Sequence, residues 1–173
     1  MFVFAIVIGF FATLWVYLGT ASLGSIWNLA LTVCALITSV IIGGILIRTG
    51  KPCGPSREPS SRDKGIYWGA VAFEGVGIPV SISLLRQNGL DDYILPAMAL
   101  IVGIHFFALI AAFHTRLYLW TGGVMCVLAL LGIFLVPGRL TLGSHLIDPR
   151  ALFVGIGCAV TLWVTQLYRA RRA

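Results

Sequence analysis

Long apolar segments alternate with short polar ones along the whole chain. Each apolar segment has close to the 20 residues that a helix needs to cross about 30 Å of hydrocarbon. Helices satisfy their own backbone in lipid, so each segment is predicted to form one transmembrane helix. The predicted spans cover residues 2–20, 26–47, 66–85, 94–113, 117–136 and 151–168. The pattern predicts an all-α membrane protein, a bundle of about six transmembrane helices in a single polytopic domain over residues 1–173.

The composition also indicates that lipid is the main solvent. Hydrophobic residues make up 59% of the chain and charged residues 10%, whereas a soluble domain carries about 25% charged residues. So few charges would leave a soluble protein without a polar surface. We therefore expect the lipid bilayer to be the main partner of this chain.

The basic residues are unevenly placed, and their placement predicts an orientation, because cytoplasmic loops carry an excess of lysine and arginine. If the loop after the second span is cytoplasmic, nine basic residues lie inside: Arg48, Lys51, Arg57, Arg62, Lys64, Arg116, Arg169, Arg171 and Arg172. Three then lie outside, namely Arg86, Arg139 and Arg150. We expect both termini to be cytoplasmic, in a plasma membrane of the bacterial inner-membrane type. The basic residues are not interleaved with aromatic ones, so no nucleic-acid partner is expected.

The segment 48–65 between the second and third spans is predicted to be a cytoplasmic linker. It contains Pro52, Pro55 and Pro59 among serine, glycine and charged residues. Such a composition does not bury a core. The alternative interpretation is a docking surface for anionic lipid headgroups.

Glu74 and His105 are the ionisable residues that fall inside the apolar spans. Each lies eight residues from the cytoplasmic end of its span, Ile66 for Glu74 and Phe113 for His105, which places both roughly 12 Å inside the membrane. A short loop joins the two spans, so antiparallel neighbours are predicted. A charge at this depth costs about 2.5–3.5 kcal/mol and by default marks a functional site. We therefore expect the two side chains to pair.

Three interpretations of this pair stay open. It is a structural hydrogen bond between two helices, a site that binds a proton or a ligand, or part of a metal site. The metal interpretation ranks last because two ligands do not complete a coordination shell. Ser39 in the second span and Thr161 in the sixth are predicted at a similar depth and are further candidate binding residues.

Gly75, Gly77 and Pro79 follow Glu74 closely and are predicted to form a hinge or a kink. Pro79 has no N–H to donate to the Gly75 carbonyl, so the helix should bend locally. The bend is either a packing feature or a hinge beside a cavity.

No cofactor and no metal are expected. The four cysteines form no C-x-x-C pair, the spacing typical of metal and redox sites. The chain contains neither G-x-S-x-G nor H-E-x-x-H, the motifs of serine hydrolases and zinc proteases. An intramembrane enzyme that uses Glu74 as a base therefore ranks last among the function classes.

Two function classes rank above it. A small permease or proton-linked carrier would place Glu74 and His105 in its binding layer, and we expect it to be a homo-oligomer because six short helices enclose little volume. A non-catalytic membrane subunit or sensor would use the pair as a structural or pH-responsive contact. A cavity that reaches Glu74 would favour the carrier, and a dry, packed contact would favour the subunit. The sequence names no substrate.

Overall fold

The computed structural model describes residues 2–49, 60–142 and 145–172. These residues form six α-helices: α1 Phe2–Gly19, α2 Ser25–Thr49, α3 Ser61–Gln87, α4 Ile94–Phe113, α5 Leu117–Phe134 and α6 Pro149–Arg172. Short 3-10 turns at Ala21–Leu23 and Asp91–Tyr93 join α1 to α2 and α3 to α4. Each predicted span corresponds to one of the six helices.

Five helices among the described residues are long and apolar enough to cross a membrane, over Ser25–Arg48, Ser61–Gln87, Asp91–Phe113, Leu117–Phe134 and Pro149–Arg171. A sixth apolar stretch, Ala5–Gly19 in α1, is shorter. Large apolar side chains cover the outside of the bundle, and Ile26 and Trp27 are 80% and 67% exposed. Such a surface is stable in lipid rather than in water, so the architecture is that of a multi-pass integral membrane protein.

Local polar residues decide where the helices begin. α3 begins five residues before the predicted span because Ser60 and Asp63 form a capping box: each side chain accepts a hydrogen bond from the other's backbone N–H, at 3.2 and 2.9 Å. α6 begins where the Asp148 carboxylate accepts from the Ala151 N–H at 3.0 Å. The predicted linker is therefore shorter than 48–65, since α2 continues to Thr49 and α3 includes residues 61–65. Residues 50–59 of the linker, with its three prolines, lie outside the described residues.

The connection between α5 and α6 contains a β-hairpin that the hydrophobic pattern did not predict. Strands β1, Leu140–Leu142, and β2, His145–Ile147, are antiparallel, with Leu140 opposite Ile147. Strands of three residues are too short to show a clear period of two in the sequence. The described residues are therefore predominantly helical, as predicted, with one small hairpin in addition. We call this end of the bundle the hairpin end, and the end where α1 begins and α6 finishes the termini end.

The helices pack in the spatial order α3, α4, α5, α6, α1, α2, and α6 also contacts α2 and α4. Most of the buried apolar core lies between α1, α4, α5 and α6. α3 is the least buried helix among the described residues: it packs mainly on α4, and Ala70 is its one buried residue. Extensive contact joins α1 to α6 and α3 to α4 but does not join α1 to α3. The arc of helices is therefore open between α1 and α3.

Two close helix crossings depend on glycine. A Cβ atom on Gly155 in α6 would lie 2.5 Å from the Cα of Gly19 in α1. A Cβ atom on Gly122 in α5 would lie 2.6 Å from the carbonyl oxygen of Gly103 in α4. Small residues allow the backbones of membrane helices to approach in this way. These contacts set the positions of α1 against α6 and of α4 against α5, which form the walls described below.

Arg150 is buried at the hairpin end, although the sequence had indicated only an outer basic residue. Its guanidinium donates hydrogen bonds to the Val136 carbonyl at 3.1 and 3.3 Å and lies 4.3 Å from the centre of the Tyr93 ring. These contacts connect the start of α6 with the residues after α5 and before α4. Arg150 therefore holds three chain segments together at the hairpin end.

Candidate functional site

Glu74 and His105 lie next to each other in the structure. The Oε2 atom of Glu74 on α3 is 3.2 Å from the Nδ1 atom of His105 on α4. The same Nδ1 is 3.0 Å from the carbonyl oxygen of Ala70, one turn before Glu74 on α3. The side chains of His105 and Glu74 are 11% and 20% exposed. Antiparallel packing of α3 on α4 thus brings together two residues that are 31 positions apart in the chain.

The two neighbours of Nδ1 decide which ring nitrogen carries the hydrogen. The Glu74 carboxylate and the Ala70 carbonyl are both acceptors, so we assign the donor hydrogen to Nδ1. In neutral imidazole the other nitrogen, Nε2, is then an unprotonated acceptor. Nε2 makes no hydrogen bond to a residue in the described ranges. It is therefore the ring atom that can take up a proton or accept a hydrogen bond from a ligand.

A cavity of about 1790 Å³ lies beside this pair, and both Glu74 and His105 are on its wall. Side chains of α1, α3, α4, α5 and α6 contribute to the lining. The volume exceeds the range of about 300–1,000 Å³ that is usual for small-molecule sites. The Glu74–His105 contact is therefore not enclosed in a packed core.

The cavity is open on the side where α1 and α3 do not meet. Val7 and Phe11 of α1 line the cavity and are 44% and 39% exposed. On α3, Gly75 and Pro79 also line it and are exposed. Since these residues border the gap between the two helices, the cavity is connected laterally to the surface that faces lipid.

Aromatic rings and two arginines form the termini end of the cavity. Tyr118 is buried among aromatic side chains: its ring stacks on Phe106 with the centroids 5.9 Å apart and lies 5.8 Å from Phe113. Arg169 of α6 donates a hydrogen bond to the Tyr118 hydroxyl at 3.4 Å. Arg116, which precedes α5, lines the same end of the cavity and is exposed. This end of the cavity therefore carries two guanidinium groups.

Thr161 and Ser39, the two further candidates, have different surroundings. Thr161 lines the cavity on α6, and its hydroxyl donates to the Gly157 carbonyl at 2.7 Å. Ser39 is not on the cavity wall: its hydroxyl accepts a hydrogen bond from the Trp163 indole at 3.0 Å and lies 3.2 Å from the Thr13 hydroxyl. The reason is helix order, because α2 packs behind α1 and α6 rather than beside α3. Ser39 therefore does not lie beside Glu74, although the sequence predicts a similar depth for both residues.

The three predicted hinge residues lie on α3, which is helical throughout from Ser61 to Gln87. Gly75 and Pro79 line the cavity. A Cβ atom on Gly77 would be 3.5 Å from the Ile101 side chain, so Gly77 faces α4 instead. The segment therefore has one side on the cavity and the other on the neighbouring helix.

Arg116 and Arg169 entered the sequence prediction only through the orientation, and neither Tyr118 nor the Thr121–Thr165 contact was predicted as part of the site. The hydroxyls of these two threonines are 2.8 Å apart between α5 and α6, on the cavity wall. The sequence does contain a signal for three residues of the cavity wall on α6. Thr161, Thr165 and Arg169 are spaced by four residues, which places them along one helix face.

The described residues contain no group of three His, Cys, Asp or Glu side chains that could hold a metal ion. On the described part of the cavity wall, two side chains of these types lie together, namely Glu74 and His105. The arrangement can bind and release a proton, and it can form hydrogen bonds to a ligand in the cavity.

No protein-family model, no curated protein and no solved structure matches this chain.

Proposed function

We propose that this protein is a small membrane carrier in which Glu74 and His105 form a protonatable binding site. One observation carries the proposal: the pair lies on the wall of a cavity of about 1790 Å³ rather than in a packed core. Ionisable groups within membrane spans typically face such cavities and mark ion or substrate pathways. The cavity lies within one chain, so a second copy is not needed to complete it, and the expected homo-oligomer stays a prediction.

The proposed chemistry uses the two ends of the imidazole differently. Nδ1–H of His105 donates to the Ala70 carbonyl at 3.0 Å, and the Glu74 carboxylate lies 3.2 Å from the same nitrogen. Nε2 takes up a proton from the cavity, which changes the pair from a net charge of −1 to a neutral imidazolium–carboxylate pair. A ligand that binds one of these two states better than the other would be coupled to the proton. The remaining titratable or charged side chains on the described cavity wall are Tyr67, Arg116, Tyr118, Tyr168 and Arg169.

We further propose that Gly75, Gly77 and Pro79 let α3 move during transport. α3 packs mainly on α4 and has one buried residue among those described, so its displacement would disturb few contacts with helices other than α4. Proline and glycine in membrane helices allow local changes in the backbone hydrogen bonds. In the orientation that the basic residues favour, with both termini in the cytoplasm, the termini end of the cavity faces the cytoplasm.

A second function, a non-catalytic subunit or sensor, is favoured by a different observation. His105 is 8% exposed and its Nδ1 lies near the Ala70 carbonyl as well as near Glu74. A contact of this kind could serve only to fasten α3 to α4. The two functions differ in one respect: only the carrier requires a proton at Nε2 to reach the cavity.

The test is proton flux in proteoliposomes that contain a trapped pH indicator. An imposed pH gradient should collapse faster with the wild-type chain than in liposomes without protein. Glu74→Gln removes the charge with little change in size and should lower the rate to that of empty liposomes. His105→Gln should do the same, because it removes the atom that accepts the proton.

Asp91→Asn is the matched control, since Asp91 is a carboxylate at the hairpin end whose side chain is 49% exposed. We expect it to behave like the wild type. Equal rates for the wild type and Glu74→Gln would contradict the carrier and favour the structural role of the pair.

A further inference from the structure

Among the described residues, basic side chains outnumber acidic ones on the cavity wall. Arg116 and Arg169 are on the wall at the termini end, and Glu74 is the one carboxylate on the wall among the described residues. Glu74 is already in contact with His105 at 3.2 Å. An anion that enters this end of the cavity would therefore meet two guanidinium groups, the preferred partners of carboxylates and phosphates.

The opening between α1 and α3 has the opposite character. Its borders are formed by Val7, Phe11, Gly75 and Pro79, which carry no charge and are exposed at the surface that faces lipid. An alkyl chain could lie in this opening without losing an apolar environment. A small polar solute would gain nothing from it.

The two arginines lie near the ends of their helices. Arg116 precedes α5, and Arg169 lies three residues before the end of α6. Thr161, eight residues earlier on α6, also lines the cavity, and this spacing corresponds to about 12 Å along the helix. A headgroup at the arginines would therefore leave its chain in the hydrocarbon layer.

We infer that the cavity binds an anionic amphiphile, with a carboxylate or phosphate headgroup at Arg116 and Arg169 and an alkyl chain in the opening between α1 and α3. This inference rests on the proposal that the cavity is the ligand site, and it names the class of ligand. Such a ligand enters sideways from the bilayer. A free long-chain carboxylate and an anionic phospholipid share this chemistry, and the experiment below distinguishes them.

The test is photolabelling of the full chain in phosphatidylcholine nanodiscs with a diazirine analogue of palmitate. Labelling of peptides from α1 and α3 should saturate as the probe concentration rises, because the cavity holds a limited number of ligands. Labelling of the outer surface of α2 should not saturate. Unlabelled palmitate should compete at least about tenfold better than hexadecanol, which has the same chain without the charge. Competition by phosphatidylglycerol rather than by palmitate would identify the bilayer lipid as the source.

The double variant Arg116→Gln, Arg169→Gln should need about tenfold or more unlabelled palmitate to halve the photolabelling. Arg171→Gln is the matched control, because Arg171 lies two residues from Arg169 on the same helix and is not on the cavity wall. It should leave the competing concentration unchanged.

Filling the opening gives a second, independent variant. A Cβ atom on Gly75 meets no atom within 4 Å, so Gly75→Leu should fold while it blocks the opening. Gly69→Leu, on the same helix with equally free space but away from the cavity wall, is its control. Saturable labelling should be lost in the first variant and kept in the second.

Equal competition by palmitate and hexadecanol would overturn the role of the arginines. Competition by inorganic phosphate as strong as that by palmitate would overturn the role of the alkyl chain. Labelling that stays unsaturable would overturn the site itself. If labelling behaves as expected while Glu74→Gln has wild-type proton flux, the ligand class stands and proton coupling fails.

Discussion

At the scale of single residues, the Glu74–His105 contact could be predicted from the sequence in part. Two ionisable residues at matching distances from the ends of adjacent spans are enough to predict a pair. The sequence could not say that Ala70 supplies a second acceptor for Nδ1. That detail assigns the hydrogen to Nδ1 and leaves Nε2 without a hydrogen-bond partner among the described residues, which is the basis of the proposed proton chemistry.

A double-mutant cycle should measure the strength of this contact. We expect Glu74→Gln and His105→Gln each to destabilise the protein, and the two together to cost less than their sum. The coupling energy should be about 1 kcal/mol or more, because either single change leaves a partly buried polar group without its partner at 3.2 Å. The measurement is the midpoint of unfolding in detergent micelles.

The control cycle combines Glu74→Gln with Asp91→Asn, whose side chain belongs to the hairpin end. These effects should add to within about 0.5 kcal/mol. A coupling of Glu74 to His105 that is no larger than this control would mean that the contact contributes nothing to stability in solution.

At the scale of helices, hydrophobic pattern and capping residues predict where each element lies. The Ser60–Asp63 capping box and the Asp148 cap begin α3 and α6. The pattern missed β1 and β2, because three-residue strands leave no period that can be read. It also did not show which glycines are contacts, since a glycine that faces lipid looks the same in the sequence as Gly155, which touches Gly19.

Gly155→Ala should therefore separate α1 from α6. The added Cβ would lie 2.5 Å from the Cα of Gly19 and 2.6 Å from the carbonyl oxygen of Trp15, and backbone atoms cannot rotate away. We expect a loss of about 1–3 kcal/mol in the free energy of unfolding. Thermal unfolding of the purified protein, followed by circular dichroism, measures it.

Gly123→Ala is the comparison, because a Cβ atom on Gly123 meets nothing within 4 Å. It should leave stability unchanged or raise it, since alanine favours the helix over glycine by up to about 1 kcal/mol. Equal behaviour of the two variants would show that the α1–α6 crossing is looser than the structure describes.

At the scale of the whole molecule, the arc of helices produces the cavity. α6 contacts α1, α2, α4 and α5, while α3 packs mainly on α4 and leaves a gap toward α1. The same order explains why Ser39, at a depth similar to that of Glu74, belongs to a contact with Thr13 and Trp163 instead. Depth follows from distance along a helix, whereas the choice of neighbour depends on the packing of all six helices.

The proposed orientation of the whole molecule can be tested with single cysteines in a background without the native ones. Leu140→Cys, in the hairpin, should react with a membrane-impermeant maleimide added to intact cells. Arg171→Cys, near the end of α6, should react only after the membrane is opened. The reason is the excess of basic residues at the termini end, which favours the cytoplasmic side.

Both positions give an unambiguous readout, because Leu140 is 43% exposed and Arg171 is exposed as well. The reverse pattern of labelling would place the termini and the two arginines of the cavity outside the cell. The proposed headgroup site would then lie on the outer side of the membrane, while the cavity itself would be unaffected.

The sequence by itself determined that the protein belongs in lipid, where its helices lie and how far along their helices Glu74 and His105 are placed, because hydrophobicity, capping and helical rise are local properties. Only the tertiary structure decided that this pair faces a cavity, that Ser39 does not, and that Arg116 and Arg169 do. These outcomes depend on which helices meet. Contacts such as Gly19–Gly155 and the gap between α1 and α3 join or separate residues that are far apart in the chain.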